Sequence, residues 1–105
     1  MSTYQALALE ALADPTRRSI FEVLGHGPSS VVDIARHVPI SRPAVSQHLK
    51  VLKAARLVSV RPAGTRRIYG IDPAGVAAAR DYFDQFWTNS LAAYAQAADA
   101  TKEEA

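Results

Sequence analysis

The sequence contains no cysteine, which excludes disulfide bonds, thiolate metal centres and cysteine redox chemistry. No segment approaches the roughly 20 consecutive apolar residues that a membrane-spanning helix requires. Met1 to Glu10 lacks the basic-then-apolar layout of a secretory signal. Neither a membrane nor export is expected, and the cytoplasm is the expected compartment. Glycine and proline punctuate the chain without repeats or low-complexity stretches. There is no glycine-rich phosphate loop, no serine nucleophile turn with a following histidine and aspartate, and no carboxylates clustered on one expected face. Catalysis is therefore not expected, nor is a cofactor.

The most informative absence is acid. Residues 34–71 contain no aspartate or glutamate but eight bases: Arg36, Arg42, Lys50, Lys53, Arg56, Arg61, Arg66 and Arg67. The segments on either side carry net charges of −2 (residues 1–33) and −4 (residues 72–105), so the whole chain is only +2. A basic middle between acidic ends suits a protein that presents one surface to a polyanion.

The chain has 105 residues, enough for one domain. A domain of that size buries about two-thirds of its unfolded surface, so a large leftover apolar face calls for a partner. Tyr4 to Ala13, rich in Ala and Leu, reads as a first helix. Asp14-Pro15 caps a second, which ends at Gly25. Ser30 and Asp33, at capping-box spacing, start a short helix to about His37, closed off by Pro39. Ser41 caps the next helix, about residues 41–55, with Val45, Leu49 and Leu52 on its apolar side. Two β-type runs, Leu57–Arg61 and Arg66–Ile71, flank a Pro62–Thr65 turn within a hairpin at about 57–71. Asp72-Pro73 caps a last helix, about 73–98, and Thr101–Ala105 reads as a frayed tail. The expected fold is mainly α with a small β-hairpin, in the order α-α-α-α-β-β-α. This is a winged helix-turn-helix spanning residues 1–105.

A helix advances about 100° per residue, so Pro43, Ser46, Gln47, Lys50 and Ala54 fall opposite the apolar side of the 41–55 helix. That face is small and polar, as a helix lying in a DNA major groove needs. Gln47, Ser46 and Arg42 are candidates for base edges; Ser41 and Lys50 are candidates for phosphates. His48 lies on the flank of the apolar side and reads as a packed, hydrogen-bonded histidine. Arg61, Arg66 and Arg67 surround the hairpin turn, where arginines reach phosphates or the minor groove, and one of the three, left open by the sequence, is expected to alternate inward or pair with an acid. Tyr69 reads as packing.

The stretches Leu12-Ala13-Asp14-Pro15-Thr16-Arg17-Arg18 and Ile40-Ser41-Arg42-Pro43-Ala44-Val45-Ser46-Gln47-His48-Leu49-Lys50-Val51-Leu52 resemble the ArsR/SmtB family of bacterial repressors. So does the wing, Leu57-Val58 followed by Gly64-Thr65-Arg66-Arg67-Ile68-Tyr69. The likeness covers about residues 5–98. It implies a dimeric winged helix with the Ser41 helix in the major groove, repressing its own or a neighbouring operon. It also implies a structural role for the Asp14/Arg17 pair.

In the last helix Val76, Phe83, Trp87, Leu91 and Tyr94 share one arc, which Arg80 interrupts and Phe86 edges. Part of this stripe is expected to meet the same helix of a second chain, helped by Tyr4, Leu7 and Ala11 of the first helix. A two-fold dimer would place two reading helices about one DNA turn apart, so the operator on double-stranded DNA should be an imperfect palindrome.

Many members of the family sense metals. Without cysteine the thiolate sites are impossible, and the family's Asp/His/His/Glu site on the last helix is not recognisable, because Asp81 and Asp84 have no histidine after them. Asp33 and His37 share a helix face, but two ligands do not make a zinc site. No metal residue is therefore assigned. A nickel- or zinc-responsive repressor with a non-standard site, or a winged helix that chiefly binds another protein, remain the alternatives.

Overall fold

The computed structural model describes residues 1–104, with side chains through Thr101. The first helix, α1 (Thr3–Ala13), begins one residue earlier than the sequence suggests. Ser2 and Gln5 form a full capping box there: the Ser2 hydroxyl accepts from the Gln5 N–H at 3.2 Å, and the Gln5 amide oxygen accepts from the Ser2 N–H at 2.9 Å.

Asp14 ends α1 and caps α2 (Pro15–Gly25), accepting from the Arg17 N–H at 3.0 Å. That backbone hydrogen bond holds the Asp14 carboxyl below its ordinary range; partial desolvation opposes it, and the charges of Arg17 and His48 reinforce it. The last turn of α1 contains no basic residue of its own. Arg17 and Arg18 supply the missing charge from the next helix. Arg17 Nε donates to Ala11 O at 2.7 Å, and Arg18 Nη1 donates to Leu12 O at 3.3 Å. Orphan carbonyls at a helix C-terminus are thus paired with cations, which the helix dipole favours. The structural role implied for Asp14 and Arg17 is this junction.

A short strand, β1 (Ser29–Ser30), precedes α3 (Val31–Ala35). Two serines carry no strand signal, and β1 exists only because β3 offers it an edge. Ser30 is buried and doubles as the cap of α3, accepting from the Asp33 N–H at 3.2 Å. The capping box expected here is half formed, because the Asp33 carboxylate turns to Arg36 at 3.3 Å. Helix α3 also stops short of His37: the Arg36 and His37 N–H groups donate only three residues back, to Asp33 O at 3.2 Å and Ile34 O at 2.9 Å, a tighter turn than the α-helix.

Helix α4 (Arg42–Ala54) follows the turn, capped by Ser41. It ends in a Schellman arrangement: Leu57 N–H donates to Leu52 O and Arg56 N–H to Lys53 O, both at 3.0 Å. The left-handed position that glycine usually takes there is held by Arg56, at φ 59°.

The hairpin consists of β2 (Val58–Ala63) and β3 (Arg66–Ile71), and the antiparallel sheet order is β1-β3-β2. Pairing continues to Ala63 opposite Arg66, which shortens the expected four-residue turn to Gly64-Thr65. Gly64 supplies the positive φ of 64° that so tight a turn demands. Helix α5 (Pro73–Glu104) starts on Asp72, whose carboxylate accepts from the Ala74 N–H at 3.1 Å. It runs past the expected end at Ala98, so residues 101–104 are helical where a frayed tail was expected; Ala105 lies outside the described residues.

One core joins α1, α2, α3, α4 and the start of the hairpin. Ile20, Ile34, Val45, Leu49 and Leu52 are completely buried in it, and Ala8, Ala11, Leu57 and Val58 are nearly so. Each large aliphatic side chain there contributes roughly 1.5–3 kcal/mol of burial. Most of α5 lies outside this core. Its 32 residues extend about 48 Å, and the chain measures 69 Å along its longest axis against 25 and 22 Å across. The radius of gyration is 18.7 Å, whereas a compact chain of this length has about 13 Å.

Candidate nucleic-acid interface

The helix-turn-helix positions α4 by its buried side. Val45, Leu49 and Leu52 fall at helical spacing into the core, so the opposite face cannot avoid solvent. Ser46, Gln47 and Lys50 are exposed on it. Between this face and the hairpin runs a groove of about 710 Å³. Ser46, Gln47, Lys50 and Lys53 line it from α4, and Thr65, Arg66 and Arg67 line it from the hairpin. Val60, Leu49 and Tyr69 form its apolar floor, and Ser30 to Val32 close one side. Four cations and no carboxylate line the groove, which gives it the polarity and charge of a surface suited to phosphate and base edges.

Of the expected contact residues, the structure brings Ser46, Gln47, Lys50, Arg66 and Arg67 to this one groove. Ser41, Arg42 and Pro43 stand exposed at the N-terminal end of α4, outside the groove itself. The Ser41 hydroxyl accepts from the Ala44 N–H at 3.3 Å, which leaves its own proton free to donate. Arg61 stands outside the groove. It pairs across the ladder with Ile68, on the sheet face that adjoins His26, Pro28 and Gly70. Side chains alternate along a strand, so Arg61 points away from α4. Lys53 and Thr65 were not singled out in the sequence. Lys53 stands one turn after Lys50, and that spacing was the available signal. His48 is half-buried, and Tyr69 is packed against the core.

A second surface is apolar. Phe83 is 53 % exposed, Phe86 59 %, Trp87 64 %, Leu91 50 % and Tyr94 76 %, all on α5. Tyr4 and Leu7 of α1 are also exposed. Ala11 does not belong to this surface. It is 1 % exposed within the chain's own core, where its small side chain lets α1 approach its neighbours. Val76 is half-buried against the same core and offers only part of its surface. Arg80 pairs with Asp84 at 3.6 Å, and both side chains are well exposed.

Asp33 and His37 do not combine as ligands: His37 Nδ1 lies 2.9 Å from the Asp33 backbone oxygen, while the Asp33 carboxylate faces Arg36. Among the described residues no group of three or more histidine, aspartate or glutamate side chains is placed to share an ion. No helix among them is long and apolar enough to cross a membrane.

This architecture, with a polar helix and a basic hairpin flanking one groove, defines a winged helix-turn-helix transcriptional regulator. A family model described as a helix-turn-helix domain matches residues 12–61, ending before the second wing strand. The chain is 58 % identical over 102 residues to the HTH-type transcriptional regulator Rv2034 of Mycobacterium tuberculosis, covering 95 % of each chain. A crystal structure of a possible transcriptional regulator for arsenical resistance matches with a TM-score of 0.70 and 48 % identity, over 76 % of this chain and 83 % of that one. The homodimeric winged helix-turn-helix DNA-binding domain of Mb0332 from Mycobacterium bovis, a possible ArsR-family regulator, matches with a TM-score of 0.67 and 30 % identity, over 84 % of this chain and 82 % of that one. The chain belongs to the ArsR-type family of helix-turn-helix transcriptional regulators.

Proposed function

We propose that the protein is a cytoplasmic, dimeric repressor that binds an imperfectly palindromic operator in its own or a neighbouring promoter. The groove between α4 and the wing carries this reading: a small polar helix face and the arginine-bearing tip of the hairpin line one groove without an acid. In it, α4 enters the major groove with Gln47, Ser46 and Arg42 at base edges and Ser41 and Lys50 at phosphates. Arg66 and Arg67 follow the adjacent backbone or minor groove. Small residues at Pro43 and Ser46 let the helix approach closely.

The dimer reading rests on α5. Five large apolar side chains, each at least half exposed, stand on a helix that projects from the body. Patches of that kind on a small chain mark an interface. A second copy, packed through Phe83, Trp87, Leu91 and Tyr94 with Tyr4, Leu7 and part of Val76 alongside, would cover them. The homodimer found for the Mycobacterium bovis domain supports this arrangement.

The test is binding of the protein to its own promoter and to a scrambled duplex at two salt concentrations. Specific binding should exceed the scrambled control by at least about a thousandfold and weaken steeply with salt. Equal affinity for both duplexes would overturn the repressor reading in favour of a protein-interaction module.

A further inference from the structure

Arg56 stands where three helices meet. Its guanidinium carbon lies 3.7 Å from the centroid of the Tyr4 ring on α1, and its Nη2 donates to the Tyr4 hydroxyl at 2.8 Å. Its carbonyl lies against Gly75 in the first turn of α5, so close that a Cβ at position 75 would overlap it. One residue on, the Leu57 carbonyl accepts from the Asp72 N–H at 3.0 Å. Helices α1 and α5 are themselves tied by Gln5 Nε2 donating to Ala78 O at 3.0 Å. Arg56 also occupies a left-handed backbone position that glycine would hold with less strain. The side chain is therefore carried at a conformational cost.

From this geometry we infer that Arg56 is the positioning residue that fixes the reading helix α4 relative to the apolar α1/α5 surface. The inference rests on the dimeric reading above. If α1 and α5 join the two subunits, the Arg56 contacts set the distance and rotation between the two copies of α4, and hence the operator spacing the dimer accepts. Arg56 acts through Tyr4 and Gly75 and need not touch DNA.

The experiment compares the full-length protein with Arg56→Gly and Arg56→Asn on three duplexes. These are a single half-site, the full palindrome, and the palindrome with one base pair inserted at its centre. An inserted pair turns one half-site by about 36° and moves it by about 3.4 Å, which a rigid dimer resists. Glycine accepts the Arg56 backbone conformation, so Arg56→Gly removes the side chain without straining the turn. The wild type should prefer the full site to the half-site and lose affinity on insertion.

Arg56→Gly should keep half-site affinity and dimerisation. It should bind the full site about tenfold more weakly and lose less than the wild type on insertion. Arg56→Asn removes the guanidinium with a residue type that tolerates the left-handed backbone, and should move the same readings in the same direction and by a similar factor; it carries the test if Arg56→Gly does not fold. An unchanged salt dependence would accompany a positioning role, whereas a slope lower by about one would mark Arg56 as a phosphate contact and overturn the inference. Equal losses on half-site and full site would overturn it too, as would wild-type behaviour of both variants on every duplex. A wild-type protein with no full-site preference would overturn the dimeric reading itself, and the inference with it.

Discussion

Gly75→Ala is a substitution for which helix propensity and packing give opposite signs. Position 75 lies in the first turn of α5, and in a helix alanine is favoured over glycine by up to about 1 kcal/mol. Propensity alone therefore forecasts stabilisation. The tertiary structure reverses it. A Cβ at this position would fall 2.5 Å from the carbonyl carbon of Arg56, and closer still to its oxygen. Carbon and oxygen settle at ~3.3 Å or more, so α5 must move off the end of α4 by more than about 1 Å. The obstacle is backbone, which cannot swing aside as a side chain would. Overpacking costs about 1–3 kcal/mol and occasionally more; against an immovable backbone the upper end applies, leaving a net loss of roughly 2 kcal/mol after a propensity gain of about 1 kcal/mol. For a domain of this size that lowers Tm by roughly 8–16 °C.

Thermal unfolding followed by circular dichroism, at one fixed protein concentration, measures the change. Gly25→Ala at the end of α2 is the matched control, since a Cβ there meets nothing within 4 Å, and its Tm should hold or rise slightly. An unchanged or higher Tm for Gly75→Ala would refute the close approach of α5 to Arg56, and with it the meeting of α1, α4 and α5.

Other outcomes follow from the same structure. Trp87→Ala removes the most exposed bulky aromatic near the middle of α5; at about 2 kcal/mol per copy, the dimer dissociation constant should rise roughly a thousandfold, and an unchanged value in sedimentation equilibrium would exclude this helix from the interface. Gln47→Ala should cost about 1–3 kcal/mol on the operator and relax preference at one base pair, whereas Arg66→Ala should weaken all sequences alike; binding to a panel of single-substituted duplexes separates the two, and the reverse pattern would mean the groove contacts are misassigned. The folded-state carboxyl of Asp14 titrates below its ordinary 3.8, so its contribution to stability is present above that value and is lost as pH falls through the lower folded value. In thermal scans Asp14→Asn should therefore be less stable than wild type at pH 6, with the gap closing below about pH 4; a gap independent of pH would assign the effect to geometry instead of charge.

Much of this protein was written locally. Asp14-Pro15, Ser41 and Asp72-Pro73 announce helix starts, because a cap and a proline act within one turn of the chain. The apolar spacing of Val45, Leu49 and Leu52 assigns α4 its buried side, and thereby delivers Ser46, Gln47 and Lys50 to solvent. The acid-free basic span and the exposed α5 stripe are equally visible in composition and periodicity.

Tertiary structure decided what depends on partners distant in the chain. Ser29 and Ser30 become a strand only against Tyr69 and Ile68. Ladder register, which alternates side chains across the sheet, turns Arg61 away while Arg67 joins the groove with Lys53. Ala11 has the spacing of a surface residue on a first helix, yet closes the core once α2 folds back on it. Arg56 carries no local signal at all. Its stacking on Tyr4, 52 residues away along the chain, and its contact with Gly75 in α5 join three helices, a relation that spacing within any one helix does not encode.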